Sequence, residues 1–317
     1  MKGLLRAPWL GPLVAVLAVY ALFALLAPST FPRSVNVLTM ARQTVVVAIA
    51  AVGMTVVMIQ GGIDLSVGST VALTTVVVAR LLDGGHGPLS AAASGVAFGA
   101  CVGAVNGLLV SGLGLLPFIV TLGSMSALRG AAKGLANEQK VDADPKGLDA
   151  LMALPGGRHG GVLLPTGVWI ALGLAVVVAA FLLYTRPGRH VVAVGSNVQT
   201  ARLCGVPVGR VTVMVYVLAG ALAGLAGVME FSTLTVGDPT DSIGLELEVI
   251  AAVVIGGGSL SGGRGSVAGA LLGALLLTEI KTGCTHVGLP NWVQEILTGG
   301  IILVAMALDR LRERRAS

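Results

Sequence analysis

The chain has 317 residues, of which 55% are hydrophobic and 11% are charged, and its mean hydropathy is +0.92. Soluble domains carry about a quarter charged residues, so this composition excludes an ordinary soluble protein and predicts membrane-spanning segments. The formal net charge of +5 does not indicate binding of nucleic acid. The basic residues are concentrated in predicted cytoplasmic loops, as the positive-inside rule describes for Lys and Arg.

About ten apolar segments follow one another along the chain and favour a bundle of transmembrane helices. A β-barrel is disfavoured, because its strands would alternate polar and apolar residues. The first segment follows Lys2 and Arg6 and is longer than the apolar core of a signal peptide, so we expect it to be retained. We predict one all-α transmembrane domain over residues 1–317, with spans at 9–27, 37–59, 65–82, 88–113, 117–135, 164–184, 211–231, 245–256, 267–281 and 292–308.

The charges of the loops predict which side of the membrane each loop occupies. Loop 185–210 has four arginines and no acidic residue, and the C-terminal tail is also rich in arginine, so both are predicted to be cytoplasmic. Segment 232–248 has four acidic residues and no basic one, and it is predicted to be external together with loop 136–163. An even number of spans then places both termini in the cytoplasm.

A polar string interrupts the apolar sequence between the second and third predicted spans: Gly61-Gly62-Ile63-Asp64-Leu65-Ser66-Val67-Gly68. Asp64 is a candidate N-cap of the third helix, because its carboxylate could accept from the following backbone N–H groups. The alternative is that the break lines a transport path, since irregular backbone at membrane depth is tolerated beside protein or water. Gly61, Gly62, Asp64 and Ser66 are therefore candidate path or gate residues.

A second string, residues 256–265, resembles the first, because both contain Gly-Gly-x-(Asp/Ser)-Leu-Ser-x-Gly. This likeness suggests an internal duplication and adds Ser259 and Ser261 to the candidate path residues. Residues 258–265 also nearly match a phosphate-binding P-loop, but Arg264 replaces the required Lys and Gly265 replaces the required Ser or Thr. We therefore predict that this chain binds no nucleotide.

Four glycines at four-residue spacing, Gly95, Gly99, Gly103 and Gly107, form one stripe on the fourth predicted helix. Small residues let helix backbones approach closely in lipid, so the stripe predicts helix packing within the chain, which is favoured over a dimer contact.

The predicted cytoplasmic loop contains a short helix bounded by Asn197 and Gly205, which are a good N-cap and a good residue after the helix end. About two turns of helix do not persist in water without support. The segment is either an ordinary connection or a docking element for a cytoplasmic partner.

Signatures of catalysis and of metal binding are absent from the sequence. Cys101, Cys204 and Cys284 have neither pairing nor metal-like spacing, so neither disulfides nor a metal site are expected. Glu230 and Arg129 are ionisable residues within apolar segments. They are candidate functional groups, although both lie near helix ends, from which a charged group can reach the interface.

These strings together resemble the permeases of the ribose, arabinose, xylose and galactose ABC importers, over about residues 36–309. The string 61–68 resembles that family's signature at every position. Pro117-Phe118-Ile119-Val120-Thr121-Leu122-Gly123 and the stretch 248–263 resemble two further blocks of the family.

The resemblance implies the permease subunit of an importer in the bacterial inner membrane that translocates a small sugar. It implies a second copy of the permease or a paralogue, a cytoplasmic ABC ATPase that binds ATP and Mg²⁺, and a periplasmic sugar-binding protein. This chain itself would be non-catalytic and would bind no cofactor. The resemblance also identifies the helix 197–205 as the coupling element, with Asn197, Arg202 and Gly205 matching, although many relatives have an acidic residue in place of Val198.

Two other functions are compatible with a polytopic bundle. A secondary transporter driven by an ion gradient would also have broken helices near the midplane, but it would need intramembrane carboxylates, for which only Asp64 and Glu230 are candidates. A purely structural subunit would tolerate polar substitutions at Asp64.

The predicted topology can be tested with single cysteines, after the three native cysteines are replaced. A cysteine in loop 136–163 and another in the C-terminal tail should react with a membrane-impermeant thiol reagent from opposite sides of the membrane. Reaction of both from the same side would contradict the predicted arrangement.

Overall fold

A computed structural model of the protein describes residues 9–154, 156 and 163–316. The described residues form twelve α-helices, one short 3₁₀-helix (Leu148–Leu151) and two paired strands of two residues each. The helices are α1 (Leu10–Leu26), α2 (Ser34–Ile59), α3 (Val67–Asp83), α4 (Pro88–Gly112), α5 (Pro117–Leu135), α6 (Thr166–Tyr184), α7 (Arg186–Ser196), α8 (Val198–Leu203), α9 (Val208–Leu234), α10 (Leu245–Ile255), α11 (Val267–His286) and α12 (Asn291–Ala316).

The predicted helical fold class is confirmed, and each of the ten predicted segments coincides with one helix: α1–α6 and α9–α12. Five of these helices, α2, α4, α6, α9 and α11, are long and apolar enough to cross a membrane. The count of ten spans and the sides of the termini stay predictions. Lys2, Arg6, and residues 155 and 157–162 of the predicted external loop lie outside the described residues.

Helix α2 forms the centre of the bundle. Every residue from Ala48 to Ile59 is buried, and the helix packs against α6, α9, α10 and α11. A helix that is apolar on all sides is stable only when other helices surround it. The other elements, including the polar break that follows α2, are arranged around this central helix.

The glycine stripe lies at the contact between α4 and α9. A Cβ atom added to Gly99 would overlap the carbonyl oxygen of Gly220, and one added to Gly103 would overlap the carbonyl of Tyr216. The contact is reciprocal, because a Cβ at Gly220 would overlap the carbonyl of Gly99. The glycines therefore allow two helix backbones within one chain to touch, and a larger residue would push them apart.

An irregular segment enters the bundle between α9 and α10. Strand β2 (Val236–Gly237) pairs antiparallel with β1 (Val141–Asp142) at the end where α9 finishes. The segment then follows α3 inward: the backbone N–H of Asp238 donates to Thr75 Oγ1 over 3.2 Å, and Ser242 lies beside Gly68. Helix α10 consequently begins inside the bundle and has only 11 residues. Both α3 and α10 are thus the helical parts of interrupted segments.

Replacing Gly103 with Leu should break the α4–α9 contact, because the side chain would occupy the position of the Tyr216 backbone. We expect the yield of folded, monodisperse protein in detergent to fall roughly five-fold or more, as for other core overpacking. Gly173→Leu on α6 is the matched control, since nothing lies within 4 Å of a Cβ at that position. Equal yields of the two variants would contradict a packing role for the stripe.

Candidate functional site

The first break begins where α2 ends in a left-handed turn. Gly61 has φ +91°, and the N–H groups of Gly61 and Gly62 donate to the carbonyls of Met58 and Val57, both over 2.9 Å. This is a Schellman motif, which satisfies the last carbonyls of a helix. Gly62 is needed for space as well, because a Cβ there would lie 2.8 Å from Tyr216 Oη.

A buried hydrogen-bond network supports the residues after this turn. Asp64 Oδ1 accepts from the backbone N–H of Ser66 over 2.8 Å and from Ser66 Oγ over 2.6 Å. Asn106 Nδ2 on α4 donates to Ser66 Oγ over 3.0 Å, and Ser124 Oγ on α5 donates to Asn106 Oδ1 over 2.5 Å. Asp64, Ser66 and Asn106 are all at most 3% exposed. The network therefore ties the break to α4 and α5.

The prediction that Asp64 caps α3 is wrong in its position. The helix begins at Val67, and the residue at its N-cap is Ser66, whose side chain makes no capping bond. Asp64 lies two residues earlier and holds the turn that precedes the helix.

Asn106 was not predicted at all. Its signal in the sequence is a single amide side chain in the glycine-rich apolar helix α4, and polar groups inside membrane helices are commonly functional or bonded across helices.

The second break repeats the turn of the first. Gly257 has φ +88°, and the N–H groups of Gly257 and Gly258 donate to Val254 and Val253 over 2.9 and 2.8 Å. Ser259 Oγ then accepts from the N–H of Ser261 over 3.2 Å, as Asp64 accepts from Ser66. An ungapped sequence alignment pairs Gly61 with Gly256, but in the structure the residue equivalent to Gly61 is Gly257. The second break is therefore one residue shorter, and it has no residue equivalent to Ile63.

The two breaks meet each other and helix α7 at one junction. The N–H of Gly263 donates to the carbonyl of Ile59, the last residue of α2, over 2.8 Å. A Cβ atom added to Gly195 of α7 would overlap that same carbonyl. The added Cβ would also lie only 2.7 Å from the backbone nitrogen of Gly263. Gly262 has φ +87° and lies against Gly61 and Gly195. We call this contact of Ile59, Gly195 and Gly263 the junction.

Helix α8 is capped at both ends as the sequence predicts. Asn197 Oδ1 accepts from the backbone N–H of Thr200 over 2.8 Å. Gly205 has φ +79°, and a Schellman motif closes the helix, with Val206 N–H donating to Ala201 and Gly205 N–H to Arg202, both over 3.0 Å. Ala201 is the buried residue of the helix, while Arg202 is exposed and Leu203 is 88% exposed. The short helix thus presents a basic and apolar surface outside the bundle.

A cavity separates α8 from the first break. It has a volume of about 280 Å³, and its lining includes Gly61, Gly62, Val198, Arg202 and Thr212. Gln60 Nε2 donates to Thr212 Oγ1 over 2.7 Å at the same place. Of the predicted path residues, Gly61 and Gly62 therefore line a cavity, whereas Asp64, Ser66 and Ser259 are buried in protein and Ser261 is exposed.

The charged groups at the opposite end of the bundle hold the irregular segment 235–244. Arg129 Nη1 donates to the carbonyls of Pro239 and Asp241 over 2.9 and 2.7 Å. Lys140 pairs with Asp238 over 2.9 Å. Burial alone would raise the pKa of Asp238, but hydrogen bonds from Thr240 and Lys140 hold that pKa below its usual value. The pair therefore persists until the pH falls below the normal range of a carboxyl group.

Known proteins match this chain over nearly its whole length. The family described as "Branched-chain amino acid transport system / permease component" matches residues 36–306. The chain belongs to this family of ABC importer permeases. The permease is thus a non-catalytic, multi-pass membrane subunit, and the P-loop-like residues 258–265 form the turn between α10 and α11.

Individual relatives of the permease are named for different sugars. It is 39% identical over 303 residues to the ribose import permease protein of Escherichia coli (strain K12), covering 95% of this chain and 93% of the relative. It is 36% identical over 309 residues to an L-arabinose ABC transporter permease of Azospirillum brasilense, covering 96% and 89%. It is 32% identical over 294 residues to a D-allose transport system permease of Escherichia coli (strain K12), covering 92% and 89%. No solved structure matches the chain.

Removing the Asp64 carboxylate should destabilise the permease. In Asp64→Ala the buried N–H and hydroxyl of Ser66 lose their acceptor, which costs about 1–3 kcal/mol per unsatisfied group. Asp64→Asn keeps one acceptor oxygen and should lose less. Thermal unfolding in detergent should rank the variants wild type, Asn, Ala from most to least stable. Ser126→Ala, an exposed hydroxyl bonded within α5, is the control and should be neutral. A neutral Asp64→Ala would show that the network does not support the break.

Proposed function

We propose that this permease imports a small sugar across the bacterial inner membrane, with ten spans and both termini in the cytoplasm. It works as a homodimer with two cytoplasmic ABC ATPase subunits, and a periplasmic binding protein delivers the sugar. ATP and Mg²⁺ bind to the ATPase, and the permease itself binds no cofactor. The similarity to permeases named for ribose, L-arabinose and D-allose over at least 92% of the chain carries this proposal.

The choice of a sugar depends on the relatives and not on the family description, which names branched-chain amino acids. The matched relatives are named for two pentoses and one hexose. Membership in an ABC importer family gives no support to transport by an ion gradient, because the energy source of such importers is ATP hydrolysis on a partner subunit.

The surface of α8 fits a docking site for that ATPase. A helix of six residues gains little stability from its own hydrogen bonds, so α8 depends on its caps and on its contact with the bundle. These supports leave Arg202 and Leu203 exposed, where they are free to contact a partner. Helix α7 precedes it directly and contacts both breaks at the junction. We propose that a displacement of α7 and α8 by the ATPase moves the breaks, so that Gly61, Gly62, Asp64, Ser66, Ser259 and Ser261 act as gate elements.

Transport should be measured in proteoliposomes that contain the permease, its ATPase and the binding protein encoded with it. Labelled ribose, arabinose and allose are the probes, with leucine as a competitor that represents the family description. We expect ATP-dependent uptake of one of the sugars that leucine does not inhibit. Uptake that follows a proton or sodium gradient and ignores ATP would contradict the proposal, and so would ATP-dependent uptake of leucine alone.

Arg202→Glu should weaken assembly with the ATPase, because it reverses an exposed charge on α8 while leaving the bundle unchanged. We expect co-purification of the ATPase to fall about ten-fold with normal yield of the permease in the membrane, an effect typical of a charge at an interface. Leu203→Ser tests the apolar part of the same surface.

Arg33→Glu is the matched control, since Arg33 is also exposed but lies before α2, at the opposite end of that helix from the junction. The control should bind the ATPase normally. Normal co-purification and coupled uptake by both Arg202→Glu and Leu203→Ser would show that α8 is an ordinary connection.

A further inference from the structure

A polar groove lies between α2, α10, α11 and α12, away from the junction. It contains two adjoining cavities of about 450 and 620 Å³, and both are lined by Glu248 and Lys281. These two residues form an ion pair between α10 and α11. The groove is at the end of the bundle where α11 finishes and where α2 and α12 begin.

Helices α2 and α11 each present a polar side to this groove. On α2 the polar residues are Asn36, Thr39 and Gln43, whose spacing places them on one face of a helix. On α11 they are Thr278, Lys281, Thr282 and Thr285. Thr282 Oγ1 lies 3.4 Å from Gln43 Oε1 and connects the two helices across the groove.

The same two helices line an apolar cavity of about 460 Å³ on another side, together with α1 and α6. Leu271, Leu272 and Leu275 of α11 and Ala41, Val45 and Ala48 of α2 face that cavity. The groove residues Asn36, Thr39 and Gln43 thus lie on a different side of α2 from Ala41, Val45 and Ala48, although Thr44 also lines the apolar cavity.

The groove extends to a depth at which lipid would be a poor neighbour. Gln43 lies about 14 Å along α2 from its first residue, and Thr278 lies about 12 Å along α11 from its last, at 1.5 Å per residue. Charged and amide groups at such a depth are costly in hydrocarbon and normally face protein or water. Gln43 is nevertheless exposed, and the side chains of the ion pair Lys281 and Glu248, nearer the end of α11, are 42% and 20% exposed. If the groove were filled with water instead of lipid, these polar groups would be hydrated and their exposure at this depth would carry no such cost.

We infer that this groove is the outer half of the solute path, and that a second copy of the permease closes it off from lipid. The inference deepens the proposed function and relies on it for the solute. Gln43 and Thr282 offer an amide and a hydroxyl group on facing helices. Such groups exchange hydrogen bonds with the hydroxyls of a sugar without binding it tightly, which transport requires.

The path can be tested without transport, by thiol labelling in a background in which Cys101, Cys204 and Cys284 are replaced by Ala. Thr282→Cys lies in the groove, four residues before the end of α11. Leu22→Cys is the matched control, because it lies four residues before the end of α1 and is 51% exposed on the bundle surface. In assembled transporter, a membrane-impermeant methanethiosulfonate added from outside should modify Thr282→Cys at least ten-fold faster than Leu22→Cys.

Equally slow modification of both cysteines would overturn the inference, since the groove would then be filled by lipid or by a dry protein contact. A second measurement uses Gln43→Leu, which should lower ATP-driven sugar uptake at least five-fold with normal yield, while Gln43→Asn recovers part of it. Normal uptake by Gln43→Leu would also overturn the inference. If Thr282→Cys reacts rapidly but the unaltered permease takes up none of the three sugars, the path stands and the sugar assignment fails.

Discussion

The hydrogen bond from the N–H of Gly263 to the carbonyl of Ile59 connects the two interrupted segments of this permease. Backbone groups within a bilayer must find partners inside the protein, so a helix that stops at membrane depth needs donors and acceptors from elsewhere. Here the second break supplies a donor to the last carbonyl of α2, and α7 covers the contact through Gly195. Helix α7 is thereby placed directly against both irregular segments, so a displacement of α7 would act on both of them at once.

The bundle combines two kinds of helix contact with different mechanical properties. The α4–α9 contact is made of backbone against glycine, with overlapping positions for any added Cβ at Gly99 and Gly103. It leaves little freedom to slide, because packed interiors resist deformation. The breaks differ in that their backbone turns at the left-handed glycines Gly61 and Gly257, and glycine adopts more than one backbone conformation readily. We therefore expect movement at the breaks and rigidity along α4 and α9.

Much of this fold could be predicted from the sequence, because the length and continuous apolarity of membrane segments are strong local signals. The caps of α8 were predictable because they are also local: Asn197 and Gly205 bond only to residues within four positions in the sequence. The bonds of Asn106 to Ser66 and Ser124 were not, because these partners are 40 and 18 residues away in the sequence and local apolarity carries no information on such pairs. The polar groove escaped prediction since the sequence does not say which faces of α2 and α11 meet, and only the packing shows that Gln43 and Thr282 face each other.

The missing counterpart of Ile63 makes the two breaks unequal. The longer one is anchored by a carboxylate that is tied through Asn106 to α4 and α5, whereas the shorter one turns on the hydroxyl of Ser259. The two similar breaks thus have different anchors, a carboxyl group in the first and a hydroxyl group in the second. In a two-fold symmetric dimer each kind would occur twice, on opposite sides of the axis.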